Sequence, residues 1–306
     1  MKTPCLSLSA ARSRAASALI LVLWAVLLLS AAMMAWASWV QSDMQLAADR
    51  SHEVEARAMA LSGIAIGKHP LVTEQTRGWQ EDIDSNRGFE MRMISEGGKL
   101  NIKWLLSGEN PERLLILDRW LELHGLDLKE RQTLIDSMLD YVDNDNLKRI
   151  NGAEDEPGYV PANRPFLTLD EIERVKNVEP LLRSPGWKDE LTIYSTGPID
   201  MSSANEAILR MLPGMSEARI TRFLQIRRGR DGVDGTKDDY QFKNLDEIAS
   251  YLGFSKEQFK GLRNLMVHKD QVQRIISIGH AGNVVRQLEV VVRKGNTNPA
   301  ILFWQE

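Results

Sequence analysis

The densest set of oxygen ligands in the sequence is Asp140-Tyr-Val-Asp143-Asn-Asp145-Asn-Leu-Lys-Arg-Ile-Asn-Gly-Ala-Glu154-Asp155. Carboxylates and side-chain amides are the hard donors that Ca²⁺ takes in high coordination. Counting Asp143 as the first position of an EF-hand puts Asp145 third and Glu154 twelfth, as that loop requires. Leu147 then falls fifth and Lys148 takes the obligatory glycine position, so an EF-hand is excluded. Two readings stay open: a looser Ca²⁺ site gathered after a helix C-terminus, or a solvated acidic turn. A second acidic loop carries Asp231, Asp234, Asp238 and Asp239, with Arg230 and Lys237 among them. Those two cations can neutralise the acids, which favours an exposed turn.

Other chemistry is sparse. His52, His69, His124, His268 and His280 have no paired metal-ligand spacing, and neither G-x-S-x-G nor H-E-x-x-H occurs. No catalytic constellation follows, and the expectation is a protein that is not an enzyme. Asn205 to Ile220, with Pro213-Gly214 at its centre, resembles a helix-hairpin-helix unit. Arg219, Arg222, Arg227, Arg228 and Arg230 would suit phosphate contacts. Ser216 replaces the usual glycine, however, and the chain is acidic, with 38 basic and 42 acidic side chains. Helical packing is the favoured role, and no nucleic acid is expected as partner. Phe166-Leu-Thr-Leu-Asp-Glu-Ile and Phe242-Lys-Asn-Leu-Asp-Glu-Ile share F-x-x-L-D-E-I, with Thr168 and Asn244 as candidate helix caps. Two copies mark two small helical units of related design, not a solenoid.

The elements that must position these residues begin with a long helix. No charged residue lies between Ala15 and Ser42, enough to cross a ~30 Å hydrocarbon core. Lys2, Arg12 and Arg14 precede it and Asp43 follows, which places the N-terminus in the cytoplasm by the positive-inside bias. Ala35-Trp36-Ala37 fits a signal-peptidase box, but the apolar stretch far exceeds the ~7–15 residues of a signal peptide. Neither Gly nor Pro interrupts the chain between Cys5 and Ser62. Met44, Ala47, Ala48, Val54, Ala58, Leu61 and Ala65 then recur at three- and four-residue steps. A helix from Ser17 to Ile66, ~75 Å at 1.5 Å per residue, is expected, with Gly63, Gly67 and Pro70 ending it. Release of a soluble protein after Ala37 is the alternative to retention in the membrane. The single cysteine, Cys5, leaves the exported part without disulfides.

Beyond the helix, Pro70 to Gly88 reads as loop. Phe89 to Ile94 and Leu100 to Trp104, with Ser-Glu-Gly-Gly between them, read as a β-hairpin. Asn110 to Leu139 has helical period, broken at His124-Gly125. Glu190 to Ser195 returns to strand, Ala204 to Val267 to helix, and Val272 to Trp304 is strand-rich, with turns at Gly282-Asn283 and Lys294-Gly295-Asn296. The order suggests an α+β sheet domain interrupted by helical insertions.

These stretches, taken in order, resemble the minor pseudopilin K family of bacterial type II secretion systems. The match is carried by Ala18-Leu-Ile-Leu-Val-Leu-Trp, Gly98-Lys-Leu-Asn-Ile, Tyr141-Val-Asp-Asn-Asp with Gly152-Ala-Glu-Asp, Leu167-Thr-Leu-Asp-Glu-Ile, Met201-Ser-Ser-Ala-Asn-Glu-Ala-Ile-Leu and Leu212-Pro-Gly. The resemblance implies an α+β pseudopilin fold: a long N-terminal transmembrane helix, an antiparallel sheet and a large inserted α-helical domain. The expected division is a leader at 1–16, a membrane span at 17–40, its periplasmic continuation at 41–66, a β region at 67–109, an insert at 110–267 with a strand near 190–200, and closing strands at 268–306.

The resemblance also implies structural Ca²⁺ in the insert, for which Asp143, Asp145, Glu154 and Asp155 are the candidate ligands. It implies cleavage by a prepilin peptidase between Ala16 and Ser17, with Ala16 standing where the family has Gly. Leu21 stands where most pilin-like proteins carry a glutamate, as is typical of the K-type member. The implied location is the inner membrane, crossed once, with the C-terminal domain periplasmic. The implied partners are minor pseudopilins I and J and other pseudopilus subunits, and the implied role is to cap the pseudopilus tip. A membrane-anchored helix-hairpin-helix DNA-binding protein and a related type IV pilus-like subunit are the alternatives.

Overall fold

The computed structural model describes residues 9–72, 78–236, 238–295 and 299–306. Its first element, α1 (Ser9–Lys68), is a single helix of 60 residues. From Leu19 to Leu29 its large apolar side chains stand exposed, and it is long and apolar enough to cross a membrane. Its last turns behave differently: Ala56, Ala60 and Ile64 are buried against a sheet.

That sheet has five antiparallel strands, β1 (Gly78–Asp84), β2 (Arg87–Ser95), β7 (Val272–Ala281), β8 (Val284–Arg293) and β9 (Ala300–Gln305), ordered β1-β2-β7-β8-β9. The period of two puts alternate residues on one face. Phe89, Met91 and Met93 lie opposite Gly279, Ser277 and Ile275, which are followed on β8 by Leu288 and Val290. This row is the floor on which α1 rests. Each fully buried side chain of that size contributes ~1.5–3 kcal/mol.

The helix passes through Gly63 and Gly67 instead of stopping there, ending two residues later than expected. The glycines serve contact. A Cβ at Gly63 would lie 2.2 Å from Ser277 Oγ, and one at Gly67 would lie 2.8 Å from Ile275 Cγ2. From the other side, a Cβ at Gly279 would lie 2.1 Å from the Ala56 carbonyl oxygen and 2.3 Å from the Ala60 nitrogen. Gly279 thus lets the strand backbone meet the helix backbone, while Gly63 and Gly67 make room for the Ser277 and Ile275 side chains.

Two sequence expectations give way here. Pro70 to Gly88 is not all loop, since Gly78–Asp84 forms edge strand β1; residues 73–77 lie outside the described set. The hairpin partner of β2 is β1, not Leu100 to Trp104. Those residues form the two-residue β3 (Leu100–Asn101) and then helix α2 (Ile102–Leu106), because the Asn101 side chain accepts from the Trp104 amide and caps the helix.

The chain leaves the sheet after Ser95 and returns at Val272, and these ends are adjacent because Ser95 pairs with Gln273. Between them lie α2, α3 (Pro111–Leu123), α4 (Leu128–Val142), α5 (Glu179–Leu182), β4 (Leu191–Thr192), β5 (Ile199–Asp200), α6 (Glu206–Met211), α7 (Glu217–Arg227), α8 (Leu245–Leu252), α9 (Lys256–Leu262) and β6 (Met266–Val267). One core joins them around Trp120, Phe166 and Phe223. Short parallel pairs, β3 with β4 and β5 with β6, close it. Along α1, His52 neighbours Gly282 at the β7–β8 turn, while Gly67 neighbours Ile275 near the start of β7. The insert therefore sits at the end of the sheet farthest from the apolar half of α1.

Buried acids clamp this joint. Asp200 accepts from Ser95 Oγ at 2.8 Å and from the Asp270 amide at 3.1 Å. Asp270 accepts from Thr196 Oγ1 at 2.7 Å and the Val272 amide at 2.7 Å. Glu96, fully buried, pairs with Arg274 Nε at 2.5 Å and accepts from Thr192 of the insert. Arg274 also pairs with Glu289 on β8. Burial alone would lower the Arg274 pKa, but Glu96 and Glu289 hold it above its usual value.

Candidate metal centre and its surroundings

Helix α4 starts from a capping box between Asp127 and Glu130 and ends at Asp143. Asp140 and Asp143, three apart, leave its last turn on one side. Two carboxylates at the negative end of a helix are unfavourable without a cation. Glu154 approaches from the far side of the following loop. Single oxygens of Asp140, Asp143 and Glu154 all lie within 4.8 Å of one another.

The loop is shaped around Asp140. A Cβ at Gly152 would fall 1.9 Å from Asp140 Oδ2, so glycine is needed where the chain passes. Arg149 supplies the cation present: its Nη1 is 2.5 Å from Asp140 Oδ1 and 2.5 Å from Asp143 Oδ2, and its Nη2 is 2.5 Å from Glu109. Burial works against the guanidinium charge, but Asp143, Asp140 and Glu109 outweigh it and raise its pKa. Glu154 is 7% exposed, and among the described residues neither of its carboxylate oxygens has a hydrogen-bond partner; nor does Asp143 Oδ1. Burial first, and then Asp140, Asp143 and Asp145, push the Glu154 pKa up.

Of the residues singled out from sequence, the fold brings Asp143 and Glu154 together. Asp145 and Asp155 stand exposed on the same loop outside the three-residue cluster, with Asp145 accepting from the Leu147 amide at 2.8 Å. Asp140 was missed, although its spacing from Asp143 at the end of a helical run was a usable signal. Beside the cluster opens a cleft of about 830 Å³, whose wall includes Trp104, Glu109, Asp143, Arg149, Phe166 and Tyr194.

The second acidic loop spends its acids on itself. Asp234 takes Arg227 at 2.8 Å and Arg228 at 2.9 Å; burial raises its pKa, but the two arginines hold it below the usual range. Asp238 accepts from Thr236 and from the amides of Arg230 and Asp231. Lys237 lies outside the described residues. Of the arginines singled out near the hairpin-like segment, Arg222 and Arg230 stand exposed, whereas Arg219 and Arg227 are engaged with the fold. Arg219 donates to the Gly214 and Gly253 carbonyls and lies over the Phe254 ring, and Arg227 donates to the Met201 and Ala204 carbonyls.

The F-x-x-L-D-E-I copies share one device: Glu171 and Glu247 each accept from the backbone amide four residues earlier. They differ in the helix, which is α8 with Asn244 as its cap in the second copy and a 3₁₀ turn at Leu169–Arg174 without a Thr168 cap in the first. Ala16 and Ser17 lie in the backbone of α1 with side chains outside the described set, and residues 1–8 of the leader lie outside it altogether. Leu21 is exposed on α1.

Residues 98–184 match the family model of the type II secretion system protein K. No curated protein was found to match by sequence. Among solved structures, the chain is similar to one in the GspK-GspI-GspJ complex of the type 2 secretion system of enterotoxigenic Escherichia coli, at 13% identity and a TM-score of 0.59. The likeness covers 88% of this chain and 98% of that one, so the two share a fold. Residues 98–184 thus carry the likeness to the protein K family of the type II secretion system, and the chain around them has the fold of the GspK-complex chain.

Proposed function

We propose that this chain is a type II secretion pseudopilin of the K type, the non-enzymatic subunit that caps the tip of the pseudopilus. One observation carries the reading: the helical insert lies across the membrane-distal end of the sheet, where a subunit stacked above would have to pack. The free apolar half of α1 anchors the protein in the inner membrane, N-terminus inside and insert in the periplasm, after a prepilin peptidase cut between Ala16 and Ser17. Leu21 fits the same place. A subunit with no neighbour above has no ammonium to pair with a carboxylate there, and an unpaired buried charge is costly. Minor pseudopilins I and J are the proposed partners, consistent with the assembly of the related chain.

The test is excision of the insert. Ser95 and Gln273 are register partners, so a short turn can replace residues 96–271. In a strain with this variant as its only copy, pseudopili should lengthen or misassemble and secretion should fall. Normal length with full secretion would overturn the cap. Leu21→Glu should leave secretion unchanged or impaired. Placed at the centre of a membrane helix an ionised group costs ~2.5–3.5 kcal/mol, and less near the end where Leu21 lies. A gain in assembly would mark a mid-filament subunit instead.

We also propose a structural Ca²⁺ held by Asp140, Asp143 and Glu154, with Asp145 and Asp155 on the same loop available to complete the shell. The unpaired oxygens of Glu154 and Asp143 support it, since a buried carboxylate without a donor lacks its compensation. The ion would tie α4 to the 149–155 loop. Chelation should lower the melting midpoint of the detergent-solubilised chain, because ion at a hundredfold excess over Kd adds ~2.7 kcal/mol. Asp143→Asn with Glu154→Gln should abolish that response. Identical melts of the unmutated chain with and without chelator would refute the site.

A further inference from the structure

We propose that Arg149 is a tethered cation that fills the carboxylate cluster in the ion-free protein and is expelled into the adjoining cleft when Ca²⁺ binds. The inference rests on the Ca²⁺ reading above. Both oxygens of Asp140 face Arg149, Oδ1 at 2.5 Å from Nη1 and Oδ2 at 3.3 Å from the backbone nitrogen. The same Nη1 holds Asp143 Oδ2 at 2.5 Å. Because the three acids offer oxygens within 4.8 Å of each other, an ion shared among them would sit a few ångströms from this guanidinium. A divalent and a monovalent cation so close, in a partly buried place, repel strongly, and the ion draws on the same Asp140 and Asp143 charge that holds the guanidinium.

The outgoing side chain already has its next partner. Nη2 is 2.5 Å from Glu109, which is exposed at the cleft edge, and Arg149 stands on a loop without helix or strand to hold its backbone. Rotation about that outer bond clears the cluster without stranding the charge. Glu109, Asp143 and Arg149 all line the 830 Å³ cleft, so the exchange changes its wall: the ion-loaded protein presents a guanidinium near Trp104 and Tyr194. Without the ion, the guanidinium is folded inward as the ion's substitute. The orphaned Glu154 oxygens mark what it substitutes imperfectly, since Arg149 bonds Asp140 and Asp143 but not Glu154.

The full chain in detergent, with Ca²⁺ alone as the probe, tests the exchange. Labelling by an arginine-selective dicarbonyl reagent, read at Arg149 by peptide mass spectrometry, should be about tenfold faster with saturating Ca²⁺. By calorimetry, Arg149→Met should bind Ca²⁺ about tenfold more tightly, because the internal competitor is gone. Unchanged or slower labelling in a chain that does bind Ca²⁺ would overturn the exchange and leave the metal site standing, as would equal or weaker binding by a folded Arg149→Met. If the unmutated chain binds no Ca²⁺, the site and the exchange fall together. The labelling arm uses the native sequence, so it decides even if the variant does not fold.

Discussion

Replacing Arg274 with methionine should destabilise the chain by ~3–5 kcal/mol, as expected when one partner of a buried ion pair is removed. The reason lies in what remains. Glu96 is fully buried, and Arg274 Nε at 2.5 Å is the cation that pairs with it. Thr192 still donates to it, but a hydroxyl does not compensate a buried charge. Glu289 loses the same partner. Since Glu96 stands where the chain leaves the sheet, Arg274 and Glu289 lie on the sheet and Thr192 lies deeper in the insert, the damage should concentrate at the joint. Thermal melts of the detergent-solubilised chain give the size of the loss, and limited proteolysis near Ser95 and Val272 should locate it. The double variant Glu96→Gln, Arg274→Met should recover part of it, because the orphaned charge is gone. A melt of Arg274→Met within ~0.5 kcal/mol of the unmutated chain would show that the triad is not a clamp.

Gly279→Val is expected to lift α1 from the sheet. A single Cβ there meets the Ala56 carbonyl and the Ala60 nitrogen at 2.1 and 2.3 Å. Both are backbone atoms of a helix, which cannot turn aside as a side chain can. Overpacking a well-packed contact costs ~1–3 kcal/mol and occasionally more. The upper end is expected here, because the helix must move as a body and expose the Phe89, Met91 and Ile275 row. Gly261→Ala is the control: nothing lies within 4 Å of the added methyl in α9, so stability should hold or rise by up to ~1 kcal/mol. Hydrogen exchange at Ala56 to Ile64 should rise in Gly279→Val alone. Equal protection in both variants would contradict the close approach.

The sequence carried the long helix openly, because an apolar run followed by a three-and-four stripe has one physical solution. It carried the last strands for the same reason, with Ile275, Leu288 and Val290 recurring on one face. It hid β1, an edge strand whose exposed side needs no apolar residues, so that Trp79 and Ile83 alone hinted at it. It misled at Leu100 to Trp104, where alternation suggested a strand but the Asn101 cap makes a helix. The joint of Glu96, Asp200, Asp270 and Arg274 could not be read, since single charges far apart in sequence meet only once the sheet has formed. In the carboxylate cluster, Asp143 and Glu154 were among the residues to which the family resemblance pointed, the loop spacing alone leaving an acidic turn equally open. Asp140 and Arg149 were readable only by asking which residues share the end of α4 and what balances them.

The central claim is that this chain joins I- and J-type pseudopilins at the end of the pseudopilus. Co-expression with those two partners, followed by tagged purification and mass measurement in detergent, tests it most directly. The account predicts a complex with one copy of each chain, lost when α1 is detached by Gly279→Val and kept by Gly261→Ala. Recovery of this chain alone, with both partners present and folded, would contradict it.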